Sequence, residues 1–277
     1  MDTGKINVGK IACGIILYNP DLSVQQKIIS YSKLFDYLFV YDNSEKSHEE
    51  WTKNIANVRY LSKGSNIGLS AAYNVIIKEL PSDVIYLCCL DQDSIFNDED
   101  ISVMFHALYR IPDDCAVLGP HIIYDRKEFQ KKDAFLPRRY VITSGCFISI
   151  PLLKKLNISF DENYFIDKFE VDLDMQFRRQ GKKIYEYEGA CLYQQLGETG
   201  KNGKRNHSPL RHYYLFRNRF YFNKKWFENP MKRYFLNVSQ TSRQLLQILC
   251  NEENKAEKIR MLPVAFNDYR NSFFGKH

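Results

Sequence analysis

The sequence predicts an α/β fold: a mostly parallel, mixed sheet flanked by helices, with a helical extension at its C-terminal end. Three observations predict it. Short apolar runs alternate with helical patterns through the first 125 residues, which is the spacing of βαβ units. Those runs are continuously apolar, as strands buried on both faces are. Beyond a shift in composition near residue 201, the pattern is helical to about Asn271. The expected division is a catalytic domain over 1–210 and a helical extension over 211–277.

The elements follow in order. Lys10–Tyr18 (KIACGIILY) is an unbroken apolar run that stops at Asn19-Pro20, a first strand. Asp21–Phe35 carries Leu22, Val24, Ile28, Ile29 and Leu34 near helical spacing. Tyr37–Tyr41 is a second strand ending at Asp42-Asn43-Ser44, and Asn57–Leu61 a weaker third. Gly68–Leu80 is helical, and Val84–Leu90 (VIYLCCL) is a strand ending at Asp91-Gln92-Asp93. Asp98–Arg110 is a helix and Cys115–Leu118 a short strand. Tyr140–Ile150 is apolar and β-rich around Thr143-Ser144-Gly145. Phe169–Gln180 is a helix with Gly181 as its C-terminal stop, and Lys183–Tyr187 a strand. Leu196–Ser208, rich in Gly, Lys and Asn, reads as a mobile loop.

Composition narrows the class. The 277 residues include 39 Lys+Arg and 33 Asp+Glu, a net charge of +6, with 44% hydrophobic residues. These are globular values and exclude a disordered chain. No apolar run approaches the length of a membrane span, and MDTGKINVGK lacks the apolar core of a secretory signal. Seven cysteines with no CxxC pair read as reduced, buried thiols. The expected location is cytoplasmic, with peripheral contact at the inner face of a membrane as an extension of it. That contact would run through residues 201–233, where ten Lys/Arg interleave with aromatic residues and Glu228 is the only acid. The same segment also reads as a helix closing the active site with its charges solvated. A nucleic-acid partner is not expected.

In a parallel sheet, ligands bind outside the carboxyl ends of the strands. That places Asn19-Pro20, Asp42-Asn43 and Asp91-Gln92-Asp93 along one edge. Asp91 and Asp93, two carboxylates at i and i+2, offer the hard oxygen that Mg²⁺ or Mn²⁺ takes when bridging to a phosphate. Asn66 can cap the helix at Gly68, where a helix N-terminus favours phosphate. Asp42 can accept from a ribose or base, or simply close a turn. Glu170 and Asp174 lie at i, i+4 on one helix face, where like charges repel without a cation or a proton.

Taken as an ordered set, these motifs resemble the family-2 glycosyltransferases of the GT-A fold, and more narrowly their rhamnosyltransferase-type branch. The matching segments are Ile16-Leu17-Tyr18-Asn19-Pro20, Val40-Tyr41-Asp42-Asn43-Ser44, Asn66-Ile67-Gly68 running to Asn74, and Leu90-Asp91-Gln92-Asp93-Ser94. Ile142-Thr143-Ser144-Gly145, Phe160-Asp161-Glu162 with Phe165-Ile166-Asp167, and Tyr213-Tyr214-Leu215-Phe216-Arg217-Asn218 complete them. The resemblance spans roughly residues 10–222. It implies an inverting enzyme that moves a sugar, L-rhamnose from dTDP-L-rhamnose first, onto a saccharide or lipid-linked saccharide in surface-polysaccharide synthesis. It implies donor or acceptor contacts from Tyr18, Asn19, Asp42, Asn66, Gly68, Asn74, Asp91, Thr143, Ser144, Gly145 and Arg217. Asp93, with Asp91, would hold Mn²⁺ or Mg²⁺ on the diphosphate, and Glu170, with Asp172 second, would be the base.

The chain departs from the family pattern in two places. The family's base is more often Asp than Glu. Its usual His before Leu-Gly is replaced by Gln194-Gln195-Leu196-Gly197, which leaves His207 as a substitute ligand or the chain as a catalytically degenerate sugar-nucleotide-binding or membrane-surface-binding homologue. A nucleotidyltransferase would carry a Gly-rich basic loop after the first strand, where this chain has Tyr18-Asn19-Pro20-Asp21.

Overall fold

Ile11–Leu17 is buried on both faces, and this continuous apolar run forms β1 (Lys10–Leu17) at the centre of a parallel group. The computed structural model describes residues 9–124, 128–194, 198–199 and 205–277. The described elements after β1 are α1 (Leu22–Ser32), β2 (Tyr37–Asp42), a 3₁₀ turn at Glu49–Trp51, β3 (Val58–Ser62), α2 (Leu69–Glu79) and β4 (Val84–Asp91). Next come α3 (Asp98–Leu108), β5 (Cys115–Tyr124), β6 (Phe135–Arg138), β7 (Cys146–Ser149), α4 (Ile150–Lys155), α5 (Phe169–Arg179) and β8 (Lys183–Gln194). A two-residue ladder follows, β9 (Glu198–Thr199) against β10 (Arg205–Asn206), then α6 (Pro209–Trp226), α7 (Pro230–Asn251) and α8 (Lys255–Arg270).

Eight strands form one sheet in the order β3-β2-β1-β4-β7-β5-β8-β6. β3, β2, β1 and β4 are mutually parallel, as are β5 and β8. β7 runs antiparallel between β4 and β5, and β6 antiparallel to β8. The fold is therefore the α/β class expected, a mixed and mostly parallel sheet. Three elements differ in extent. β5 runs on to Tyr124 because β8 continues to Gln194 beside it. β6 was not expected. Within Tyr140–Ile150 only Cys146–Ser149 is strand. Gly145 turns the chain at φ +80 and donates its N–H to the Cys89 carbonyl at 2.7 Å. Ser149 then caps α4, with Pro151 in its first turn.

The described residues group into two compact units, 9–161 with 170–194, and 162–169 with the residues from 198 to 277. In the first, β1, β2, β4 and β7 contribute Cys13, Ile15, Val40, Cys88, Leu90 and Phe147 to a core closed by helix residues such as Ile28 and Met104. In the second, Tyr213, Tyr214 and Phe216 of α6 pack with Leu262 and Ala265 of α8, and with Phe165 and Ile166. A buried ionic cluster ties the start of α6 to the α7–α8 junction: His212 Nε2 and Lys258 Nζ lie 2.7 and 2.8 Å from Glu252 Oε2.

The segment 201–233 differs from expectation. Tyr213, Tyr214, Phe216 and Phe222 are buried, and so are Arg217 and Arg219, while Lys224 is exposed and Arg211 and Lys225 are partly exposed, so only part of this segment's charge is solvated. Its aromatic residues are needed for the core of a unit made of three helices. Gln195 and most of the loop Leu196–Ser208, expected to be mobile, lie outside the described residues, as do residues 1–8. Six of the seven free cysteines are buried and Cys250 is exposed. Among the described residues, no helix is long and apolar enough to cross a membrane.

Candidate active site

The site starts from strand register. β1 lies between β2 and β4 and is parallel to both, so three chain exits fall side by side. Hydrogen bonds stitch them together. Tyr18 N–H donates to Gln92 Oε1 at 2.8 Å, and Gln92 Nε2 returns a bond to the Tyr18 carbonyl at 3.1 Å. Asn19, at φ +45, donates its N–H to Ser44 Oγ at 2.7 Å. Asn43 N–H donates to the Leu17 carbonyl at 2.8 Å, and Asn43 Oδ1 accepts from Ile67 N–H at 3.0 Å. The middle residue of Asp-Gln-Asp therefore anchors the first exit, while the two aspartates flank that anchor.

Asp42 is fully buried. Its Oδ1 accepts from Ser44 N–H at 2.9 Å. Its Oδ2 accepts from Tyr60 OH at 2.7 Å and His48 N–H at 3.1 Å, with His48 Nδ1 at 2.8 Å. Burial alone would raise its pKa, but the bonds from Ser44, Tyr60 and His48 hold it below the ordinary carboxylate value. Asp42 shapes the β2 exit, with Oδ2 engaged by Tyr60 and His48 and Oδ1 by the Ser44 N–H.

Asn66 does not cap α2 directly. Its Oδ1 accepts from Gly68 N–H at 2.9 Å, and Gly68 at φ +86 is the capping residue. A side chain at that φ would be strained, so glycine opens the helix N-terminus there. Asn74 clamps the Phe160 backbone, donating to its carbonyl at 2.9 Å and accepting from its N–H at 3.1 Å.

Asp91 ends β4. Its N–H donates to Ser144 Oγ at 3.1 Å, and Ser144 Oγ donates to Ser94 Oγ at 2.7 Å. The Thr143-Ser144-Gly145 turn is thus fastened to the Asp91–Ser94 loop. Asp91 Oδ2 has Gln194 Nε2 at 3.5 Å, and the Asp93 side chain is exposed. Lys27 of α1 straps the same loop, donating to the Gln92 and Ser94 carbonyls at 2.8 and 3.0 Å. Burial lowers the Lys27 pKa while Asp93 and Asp21 oppose that shift. Among the described residues, no group of three or more His, Cys, Asp or Glu could hold a metal alone. A cation shared with a diphosphate needs only one or two protein carboxylates, the rest coming from phosphate and water. The hard oxygens of Asp91 and Asp93 fit that chemistry. His207 sits in the helical unit, where burial lowers its pKa, and its backbone N–H donates to Glu252.

Glu170 and Asp172 open α5. Asp172 is fully buried and accepts from Gln176 Nε2 at 2.9 Å. Glu170 is half-buried and lines a small cavity with Thr143, Phe160 and Asp174. The Thr143 hydroxyl is buried there with no hydrogen-bond partner among the described residues. Asp174 is buried, and its pKa is pushed well up, by burial first and also by the Glu170 charge, against the pull of the Val141 N–H at 2.9 Å. Burial and the Glu170 charge thus both favour the neutral form of Asp174, which eases the repulsion expected between the two.

Arg217, expected among the donor contacts, lies fully buried in the helical unit. It donates to the Gly275 and Asn163 carbonyls at 2.9 and 3.3 Å, and its guanidinium stacks over Tyr213 and Tyr214. It is placed as a packing hub. Lys27, His48 and Tyr60 carry no sequence motif that marks them, whereas Gln194 stood out as the replacement for the family's His. The roles of His48 and Tyr60 depend on β2–β3 register and that of Lys27 on how α1 packs beside the β4 exit, which no local motif signals.

Comparison with known proteins adds three findings. The family model described as Glycosyl transferase family 2 matches residues 22–169. No curated protein sequence matches the chain significantly. Among solved structures, S. aureus TarS 1-349 in complex with UDP-GlcNAc superposes with a TM-score of 0.57 at 14% identity, covering 95% of this chain and 81% of that one. TarS 1-349 without that ligand gives 0.55 at 13%, covering 95% and 92%. GalNAc-T7 with UDP, GalNAc and Mn²⁺ gives 0.58 at 12%, covering 76% and 48%. At these identities the likeness is one of fold.

Proposed function

Because the chain belongs to glycosyl transferase family 2, whose model covers more than half of it, we propose that it moves a sugar from a nucleotide donor to a saccharide or lipid-linked saccharide with inversion at the anomeric carbon. The observation that carries this reading is the stitched sheet edge, where the exits of β1, β2 and β4 bring Tyr18, Asn19, Asp42, Asp91 and Asp93 together. Residues 1–210 make up the catalytic domain in this reading, and 211–277 an extension. The GT-A neighbours that bind UDP-GlcNAc, or UDP with Mn²⁺, support a nucleotide-sugar donor. The donor we assign first is dTDP-L-rhamnose, on the motif resemblance alone.

The chemistry follows from charge. The N-terminus of α2, opened by Gly68, favours the phosphates. Asp91 and Asp93 would hold Mn²⁺ or Mg²⁺, which supplies charge stabilisation for the leaving diphosphate. Glu170 takes the proton of the acceptor hydroxyl as that oxygen bonds the anomeric carbon. The bond from that carbon to the diphosphate oxygen breaks on the opposite face. Glu170 suits the role better than Asp172, because Asp172 is wholly buried and engaged by Gln176.

The test is release of nucleoside diphosphate from dTDP-L-rhamnose, with UDP-GlcNAc alongside, in the presence of Mn²⁺ and a saccharide acceptor. Glu170→Gln is expected to lose turnover by about 100-fold or more while still binding nucleotide. Near-normal turnover in Glu170→Gln removes the base assignment, and no turnover of any nucleotide sugar by the unaltered chain favours a degenerate homologue.

A further inference from the structure

Helix α7 has its polarity reversed. Its inward face is polar through its first two-thirds, where Arg219 donates to Gln244 Oε1 and Thr241 Oγ1 at 3.0 Å each and Asn223 donates to Asn237 Oδ1 at 2.7 Å, while toward the C-terminal end Ile248 is buried and Leu245 packs on the core. Its outward face is apolar. Met231, Phe235, Val238, Leu246 and Leu249 are all exposed, Met231, Phe235 and Leu246 by 60% or more. At 3.6 residues per turn these five fall within about 80° of arc along a helix about 33 Å long. The buried bonds to Arg219 and Asn223 fix the helix rotation, so this stripe cannot turn inward. Exposed Ser242 lies between Val238 and Leu246, so the arc carries two apolar patches, Met231 with Phe235 and Val238, and Leu246 with Leu249. Exposed apolar patches lined up on one helix face mark an interaction surface.

Charge identifies the occupant. α7 carries Lys232, Arg233 and Arg243 and no Asp or Glu. Lys232 and Arg243 are exposed along one flank of the stripe, while ahead of the helix the exposed Lys224 of α6 and the exposed Glu228 offset one another. A second α7 laid on this face would meet those cations with cations. A sheet of anionic lipid offers acyl chains to the stripe and phosphates to its flank. We propose that α7 lies on an anionic bilayer, with Met231, Phe235, Val238, Leu246 and Leu249 in the headgroup–acyl boundary and Lys232 and Arg243 against lipid phosphate. This surface is distinct from α6, whose aromatic residues are internal, and it stands independently of the donor assignment.

The experiment is flotation of the full chain with vesicles of phosphatidylglycerol and phosphatidylcholine in equal parts, against phosphatidylcholine alone. The expected result is partition onto the anionic vesicles, weakened by added salt. Phe235→Ser with Leu246→Gln should weaken it about tenfold or more, and Lys232→Gln with Arg243→Gln about fivefold for each charge removed. All four positions are exposed, so the unfolding midpoint should hold and serves as the folding control. Equal partition onto both vesicle types, or none onto either, overturns the proposal. So does a dimer in sedimentation velocity that Phe235→Ser with Leu246→Gln dissolves, which would make the face a contact between copies.

Discussion

Asp42 and Asp174 are both buried carboxylates, and they meet the cost of burial in opposite ways. Asp42 collects donors from Ser44, Tyr60 and His48 and stays ionised. Asp174 has the Val141 N–H and a neighbouring acid, so burial dominates and its pKa is pushed up. The sign of the consequence is definite. Above the ordinary carboxylate pKa, about 3.9, the unfolded chain releases the Asp174 proton while the folded chain keeps it. Stability contributed at this site therefore falls as pH rises toward the raised folded value. Asp174→Asn keeps an acceptor for Val141 and carries no proton to lose. The variant should gain stability relative to the parent as pH rises from acid to neutral, read as urea midpoints at each pH. Parallel curves would place the negative charge on Asp174 after all. The i, i+4 pairing of Glu170 and Asp174 was visible in the sequence. Which of the two stays charged was not, because that depends on Val141 and on the depth of α5.

At the scale of elements, the parallel half of the sheet was legible because strands buried on both faces are written as unbroken apolar runs, as in KIACGIILY and VIYLCCL. Exposed or antiparallel strands carry no such mark. β6 contains Pro137 and Arg138 at the sheet edge and was missed, and β8 mixes Glu186 and Glu188 into a strand that runs to Gln194. The turn between α3's side of the sheet and β7 shows how one residue sets an element. Gly145 adopts φ +80, and a Cβ there would sit 2.6 Å from Leu192 Cδ1 and 2.9 Å from Pro120 Cγ. Gly145→Ala should destabilise the chain by about 2 kcal/mol or more, measured by urea unfolding. It should also loosen the Ser144–Asp91 bond and so weaken nucleotide binding. An unchanged midpoint would mean that the turn has another conformation available.

For the molecule as a whole, two units serve different ends. The α/β unit gathers the acidic exits of β1, β2 and β4 at one edge. The helical unit buries Arg217 and Arg219, which composition alone presented as surface charge. The edge formed by Asn19, Asp42 and Asp91–Asp93 was legible in the sequence, since each of these clusters follows an unbroken apolar strand run. The internal use of Arg217 and the reversed face of α7 were out of reach, because both depend on which helix packs against which. In the proposed reaction Asp91 and Asp93 at that edge bind a nucleotide diphosphate through a divalent cation. The most direct measurement is thermal unfolding of the chain with dTDP, UDP, GDP or CDP, each with and without Mn²⁺, repeated on Asp93→Asn. A nucleotide at 100 times its dissociation constant adds about 2.7 kcal/mol, or roughly 5 °C in midpoint for a chain of this size. The account predicts that shift with one nucleotide, dependent on Mn²⁺ and lost in Asp93→Asn, with dTDP as the rhamnosyl donor requires. No shift with any nucleotide, or an equal shift in Asp93→Asn and without the metal, would contradict it.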